Sequence, residues 1–211
     1  TIFASTLASG SLSAFTLANN IQSVPLGLFG IAFSLAAFPS LSLFAAKKND
    51  RDFFKMFAET ARKILFFVVP LSIFIIIFRA QCVRVILGSG NFDWQDTITT
   101  FEILKYLALS LFAQSLIPLF ARAFFSLQNT KTPLYIALVS EAVHIALIPI
   151  LLPLYAVEGL AIAFSLSTLL NFSLLYFFLR RQLSVWDDDA IIMPVGKILL
   201  ASLLAGVVAQ I

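Results

Sequence analysis

No charged side chain occurs between Thr1 and Ala46, and uncharged runs long enough to cross a bilayer recur along almost the whole chain. Hydrocarbon about 30 Å thick is spanned by about 20 mostly apolar helical residues. That repetition leaves no room for a soluble domain between the runs. Composition agrees: 60% of the 211 residues are hydrophobic and 12% are charged, against roughly 45–50% and 25% in globular domains. The chain reads as an all-α, polytopic transmembrane helix bundle. Thr1 opens it without a basic region, which makes a signal peptide a poor reading, and the chain reads as a fragment of something longer. The single Cys82 excludes an internal disulfide framework.

Cut at charge clusters and turn residues, the apolar runs give a stub at 1–9, a long segment at 11–46, then 56–80, 97–121, 133–153, 157–179 and a last run within 182–211. The total is about six spans plus the stub. Loops 47–55, 122–132 and 180–189, with Arg62, Lys63 and Lys197 beside them, carry eleven of the fourteen Lys and Arg residues; Arg79, Arg84 and Lys105 fall on the other side. The positive-inside rule makes the first group cytoplasmic. Basic residues confined to such loops also account for the pI of about 9.2 without nucleic acid.

The uncharged opening contains LANNIQSVPLGLFGI, from Leu17 to Ile31, where Asn19, Asn20, Gln22 and Ser23 stand beside Pro25. Two divisions fit: a hairpin turning at Asn19-Asn20, or a long helix from Ser11 to Ala46. In the long helix Asn20 lies about 13 Å along the axis at 1.5 Å per residue, below the membrane surface. Pro25 then removes a backbone donor and kinks the rod, freeing polar groups that lipid does not satisfy. Ser13, Thr16, Asn20 and Ser23 recur every three or four residues and form one polar stripe, which, with Asn19 beside it, reads as cavity-lining and substrate-binding. Hydrogen bonding to a neighbouring helix is the plainer alternative.

Glu141 and His144 lie one turn apart within the bilayer. An acid and an imidazole on one face can share a proton and couple transport to protonation, or form a static buried pair. Glu102 and Lys105 read as a helix-stabilising ion pair near the outer surface. Asp187, Asp188 and Asp189 read as caps for the helix that follows, and Asp96 as another cap after the turn Gly88-Ser89-Gly90-Asn91. No catalytic acid–base pair, metal-ligand spacing or phosphate loop emerges, so neither enzyme chemistry nor a metal or other cofactor is expected.

Three stretches, LASGSLSAFTLANNIQSVPLGLFGIAFSLAAFPSLS (7–42), GNFDWQDTITT (90–100) and ARAFFSLQNTKTPLYIA (121–137), resemble the MurJ (MviN) family of lipid II flippases, within the multidrug/oligosaccharidyl-lipid/polysaccharide exporter superfamily. The resemblance covers the family's second half and implies two six-helix lobes plus a C-terminal helix pair, opening alternately to each face, about fourteen helices in all. Residues 1–181 then belong to the second lobe and 182–211 begin the C-terminal pair. The resemblance also favours the long helix over the hairpin. Members often carry Asp-Arg or Asn-Arg where this chain has Asn19 and Asn20, and that arginine is associated with the substrate's pyrophosphate. Asn20 donates hydrogen bonds but lacks the charge and the fork. Ser13 stands where members keep a small polar residue, and Ser23 where some have an acid. His144, Ile148 and Phe164 replace positions at which some members bind sodium, so proton coupling through Glu141 and His144 is the competing expectation.

These readings converge on part of a bacterial inner-membrane flippase that moves polyprenyl-pyrophosphate-linked peptidoglycan precursor from inside to outside. Its expected partners are that lipid-linked saccharide, membrane lipid and the protein's own N-terminal half. An exporter of another lipid-linked oligosaccharide or amphipathic drug, and a non-transporting scaffold, are the rivals.

Overall fold

The computed structural model describes residues 11–79, 81 and 94–208. The stub at 1–9, Cys82 and the turn at Gly88-Ser89-Gly90-Asn91 lie outside them. Every regular element among the described residues is helical: α1 (Ser11–Pro25), a π-helical turn (Leu26–Ile31), α2 (Ala32–Ala46), α3 (Asp50–Ile77), α4 (Trp94–Ser126), α5 (Lys131–Gln182) and α6 (Asp189–Val208). Five stretches are long and apolar enough to cross a membrane. Bilayer-spanning helices satisfy their own amides internally, and the chain is a multi-pass membrane protein.

Helix runs straight through Asn19-Asn20, which removes the hairpin. The irregularity sits just beyond Pro25, where Leu26–Ile31 widen to π geometry and the Ala32 amide donates to the Gly27 carbonyl. Close packing holds the turn there. A Cβ on Gly30 would stand 2.8 Å from the Ser115 carbonyl oxygen of α4, so only glycine lets the two backbones approach this far.

α2 ends at a tight turn with Lys48 at φ 52°, where the Asn49 amide reaches back to the Phe44 carbonyl at 3.0 Å. Asn49 then caps α3: its Oδ1 accepts from the Asp52 amide at 3.2 Å, and its Nδ2 donates to Asp52 Oδ2 at 2.8 Å. This reciprocal cap starts α3 at Asp50, upstream of the apolar run at 56, because an amphipathic first stretch helps bury Phe53, Phe54 and Phe57. At the other end of the chain's second loop, Gln128 takes φ 57° and Asn129 Oδ1 accepts from the Thr132 amide at 3.1 Å.

α4 is the central rod. It buries Ile103, Leu104, Leu107, Leu111, Leu119 and Phe124 among α1, α3 and α5, each side chain worth roughly 1.5–3 kcal/mol on burial in water and held here largely by packing. α4 already begins at Trp94, so Asp96 is inside the helix and not at its cap. α5 covers 52 residues but is broken at Ala156, φ 47° and ψ −129°, giving limbs 131–155 and 157–182 that are each long enough to span. At the bend a Cβ on Gly159 would lie 2.5 Å from the Leu151 carbonyl oxygen; the limbs meet backbone to backbone.

The acidic run before α6 acts differently from three caps. Only the Asp187 carboxylate serves the helix start, accepting from the Asp189 amide at 3.1 Å. The Asp188 carboxylate takes the Tyr176 hydroxyl, the Trp186 indole N–H at 2.7 Å and the Arg180 guanidinium at 2.7 Å. Trp186 in turn packs on Phe54, Phe57 and Tyr176, so this carboxylate locks the connecting loop onto α3 and α5. Glu102 joins two cations, Lys105 on its own helix and Arg79, two residues past the end of α3, at 3.5 Å.

Candidate functional site

Helical spacing gives α1 two unlike polar faces. Ser13, Thr16, Asn20 and Ser23 all lie on its exposed side, whereas Gln22 is buried and Asn19 half-buried. The exposed face leads into the π turn, and Ser23 Oγ donates to the Asn20 carbonyl at 2.7 Å. Pro25 itself is buried against the bundle. Among the described residues Ser13, Asn20 and Ser23 make no hydrogen bond to another helix.

Interhelical hydrogen bonding belongs instead to the opposite face. Asn19 Oδ1 accepts from Gln22 Nε2 at 2.9 Å, and Gln22 Oε1 accepts from Gln114 Nε2 at 3.1 Å. Gln114 also donates to Ser110 Oγ at 2.9 Å, Ser110 to Ser165 Oγ at 3.2 Å, and Ser165 to the Tyr106 carbonyl at 2.8 Å. One continuous chain of donors and acceptors therefore crosses α1, α4 and the second limb of α5. Buried polar groups tolerate this depth only when paired in such a way. Sequence reasoning missed Gln114, Ser110 and Ser165. The four-residue spacing of Ser110 and Gln114 on an otherwise apolar helix was the available signal; Ser165, on another helix, carried none.

Glu141 and His144 face a second feature, a cavity of about 440 Å³ between α4 and the two limbs of α5, which Ser140, Phe164, Thr168 and Asn171 also line. His144 Nδ1 lies 3.4 Å from Glu141 Oε1, with the imidazole largely covered and the carboxylate side chain 67% exposed. The ring meets Phe164 edge-on at 5.9 Å. Ser140 Oγ is buried in the same wall with no hydrogen-bond partner among the described residues. The pair is thus held at hydrogen-bond reach beside an open space.

A third space, about 770 Å³, is almost wholly apolar and runs between α3, α4, α5 and α6, past Phe57, Leu65, Phe112, Phe172 and Val195. No sequence pattern announced it, because its walls are ordinary core residues contributed by four helices.

Comparison with known proteins gives one answer. The family model described as "Lipid II flippase MurJ" matches residues 1–211. A protein of Bdellovibrio bacteriovorus named probable lipid II flippase MurJ is 32% identical over 99% of this chain and 40% of its own length. The Thermotoga maritima protein of that name is 32% identical over 97% of the chain and 41% of its own length. In Helicobacter pylori the figures are 35%, 82% and 38%. A solved structure titled "Lipid II flippase MurJ, inward closed conformation" superposes with a TM-score of 0.84 at 26% identity, covering 98% of this chain and 42% of that one. The chain spans about two fifths of the length of the relatives it matches.

Proposed function

The chain belongs to the MurJ lipid II flippase family, and from that premise we propose that it supplies part of a bacterial inner-membrane flippase. The cargo is a polyprenyl-pyrophosphate-linked peptidoglycan precursor, moved from inside to outside by alternating access without covalent chemistry. Residues 1–181 form second-lobe helices and 182–211 open the C-terminal pair, with loops 47–55, 122–132 and 180–189 on the cytoplasmic side. The remaining length of the protein provides the facing lobe.

One observation carries this reading. Ser13, Thr16, Asn20 and Ser23 are exposed together on one face of a membrane-length rod. Hydrocarbon makes such a face costly, while a water-filled chamber between two lobes makes it stable. Asn20 there donates hydrogen bonds to the headgroup's pyrophosphate without adding charge. Asn19, half-buried beside that face, accepts from the Gln22 side chain with its Oδ1 and so links the stripe to the buried amides behind it. Glu141 and His144 supply a protonation site that drives or gates the cycle.

Asn20→Asp in the full-length protein places a negative charge where the pyrophosphate rests, and cells depleted of their own flippase should fail to grow on it. Wild-type growth would remove Asn20 from the headgroup site. The absence of an arginine at Asn20 favours a second reading, an exporter of another lipid-linked oligosaccharide. Rescue by a chimera joining this part to the first half of a known lipid II flippase decides for lipid II; failure of a correctly inserted chimera decides against it.

A further inference from the structure

Where α3 leaves the apolar zone, a cavity of about 700 Å³ opens between its first turns and the start of α6, lined among others by Arg51, Asp52, Lys55, Arg62 and Asp187. Arg51, Lys55 and Arg62 follow each other at helical spacing, so the cations share one face over about 16 Å of axis. The two carboxylates present are already engaged. Asp52 Oδ2 accepts from Asn49 Nδ2 at 2.8 Å, and Asp187 Oδ1 accepts from the Asp189 amide at 3.1 Å. Arg62 Nη1 donates to the Ala190 carbonyl at 3.3 Å, which aims its guanidinium along the wall and leaves other N–H groups free. Among the described residues no ion pair holds Arg51, Lys55 or Arg62, whereas Arg79 and Arg180 each have a carboxylate. Two like charges one turn apart repel, and an anion between them would relieve that.

Level in the membrane separates the sources of such an anion. Lys63 is the last charge on α3, and from Ile64 onward the helix is apolar with Phe66 and Phe67 exposed, so the cavity sits at headgroup depth. One turn along the same α3–α6 seam, Ala61, Leu65, Ile191 and Ile192 line the apolar space of about 770 Å³. A free phosphate ion has no use for that second space, and an acyl chain does. We propose that Arg51, Lys55 and Arg62 form a binding site for the phosphodiester head of an anionic phospholipid, independent of the cavity stripe on α1. Basic pockets between helices at a membrane surface recognise phosphate heads by this chemistry.

The test is native mass spectrometry of the full-length protein in neutral detergent, titrated separately with phosphatidylglycerol, phosphatidylcholine and inorganic phosphate. Phosphatidylglycerol should remain bound to the wild type, phosphatidylcholine should not, and R51Q/K55Q should weaken the adduct about tenfold or more. Both replaced residues are exposed and without ion-pair partners, so the variant folds; R62K, which keeps the charge, should retain the lipid better than R62Q. Equal retention of phosphatidylglycerol by R51Q/K55Q, or of phosphatidylcholine by the wild type, overturns the site. Competition by millimolar inorganic phosphate as effective as that by the lipid overturns the phospholipid as its occupant.

Discussion

Gln114 of α4 hands one amide hydrogen to Gln22 of α1 at 3.1 Å and the other to Ser110 at 2.9 Å. That pair of bonds fixes which way α1 faces. With Gln22 turned inward, helical geometry turns Ser13, Thr16, Asn20 and Ser23 outward, so the buried amides orient the stripe proposed to meet the headgroup.

Removing one side of this contact should cost more than removing both. Gln114→Leu leaves the Gln22 amide buried without its partner, a loss of about 1 kcal/mol on the scale measured for interhelical bonds in membranes and for orphaned buried groups. The Gln22→Leu/Gln114→Leu double variant should lose less than the sum of the singles. Thermal unfolding in detergent reads this cycle, and strict additivity would mean the amides do not act together.

Two glycines three positions apart in sequence should respond in opposite ways. Gly30→Ala drives a methyl to 2.8 Å from the Ser115 carbonyl oxygen and pushes the π turn off α4, at about 1–3 kcal/mol. Gly27→Ala meets nothing within 4 Å and should be neutral or stabilise by up to about 1 kcal/mol through helix propensity. Equal melting temperatures for the two variants would show that the turn is not held by that approach.

The helices were legible because hydrocarbon imposes a length and composition on each of them, and the polar stripe because one helix records its own periodicity. The Asn49–Asp52 cap was equally local, and it explains why α3 starts before its apolar run. Gln22–Gln114 was not legible: its partners are 92 positions apart, and nothing in either segment names the other. The π turn depends on Ser115 of a different helix in the same way. Asp188 shows the opposite error, since three adjacent acids before a helix suggest capping, yet Tyr176, Trp186 and Arg180 claim the middle one through tertiary packing.

Asp188 gives a pH dependence whose sign follows from those partners. Hydrogen bonds from Tyr176 and Trp186, aided by Arg180, hold its carboxyl below the ordinary value of 3.8. The folded state therefore binds fewer protons than the unfolded one near that pH. The stabilisation is fully present above pH 3.8 and is lost as pH falls through the depressed folded value. Trp186 fluorescence, read in a Trp94→Phe background, should stay constant down to about pH 4 and shift to the red below it. Asp188→Asn should show the shifted spectrum at neutral pH, and an unshifted spectrum would free the loop from this carboxylate.

Glu141 and His144 make the last claim testable. The pair stands at 3.4 Å beside a cavity with Ser140 and Thr168 in its wall, and Phe164 pins the imidazole from the edge. A static pair would only brace one turn of the first limb of α5 and leave transport indifferent to pH, whereas a shared proton ties each cycle to its release. Initial flipping rates of the full-length protein in liposomes should therefore vary with pH, and Glu141→Gln should flatten the profile while leaving the protein's melting temperature nearly unchanged, since the carboxylate is exposed. His144→Asn should flatten it too. A Glu141→Gln profile identical to the wild type's would leave the pair a structural contact and place the energy source for transport elsewhere.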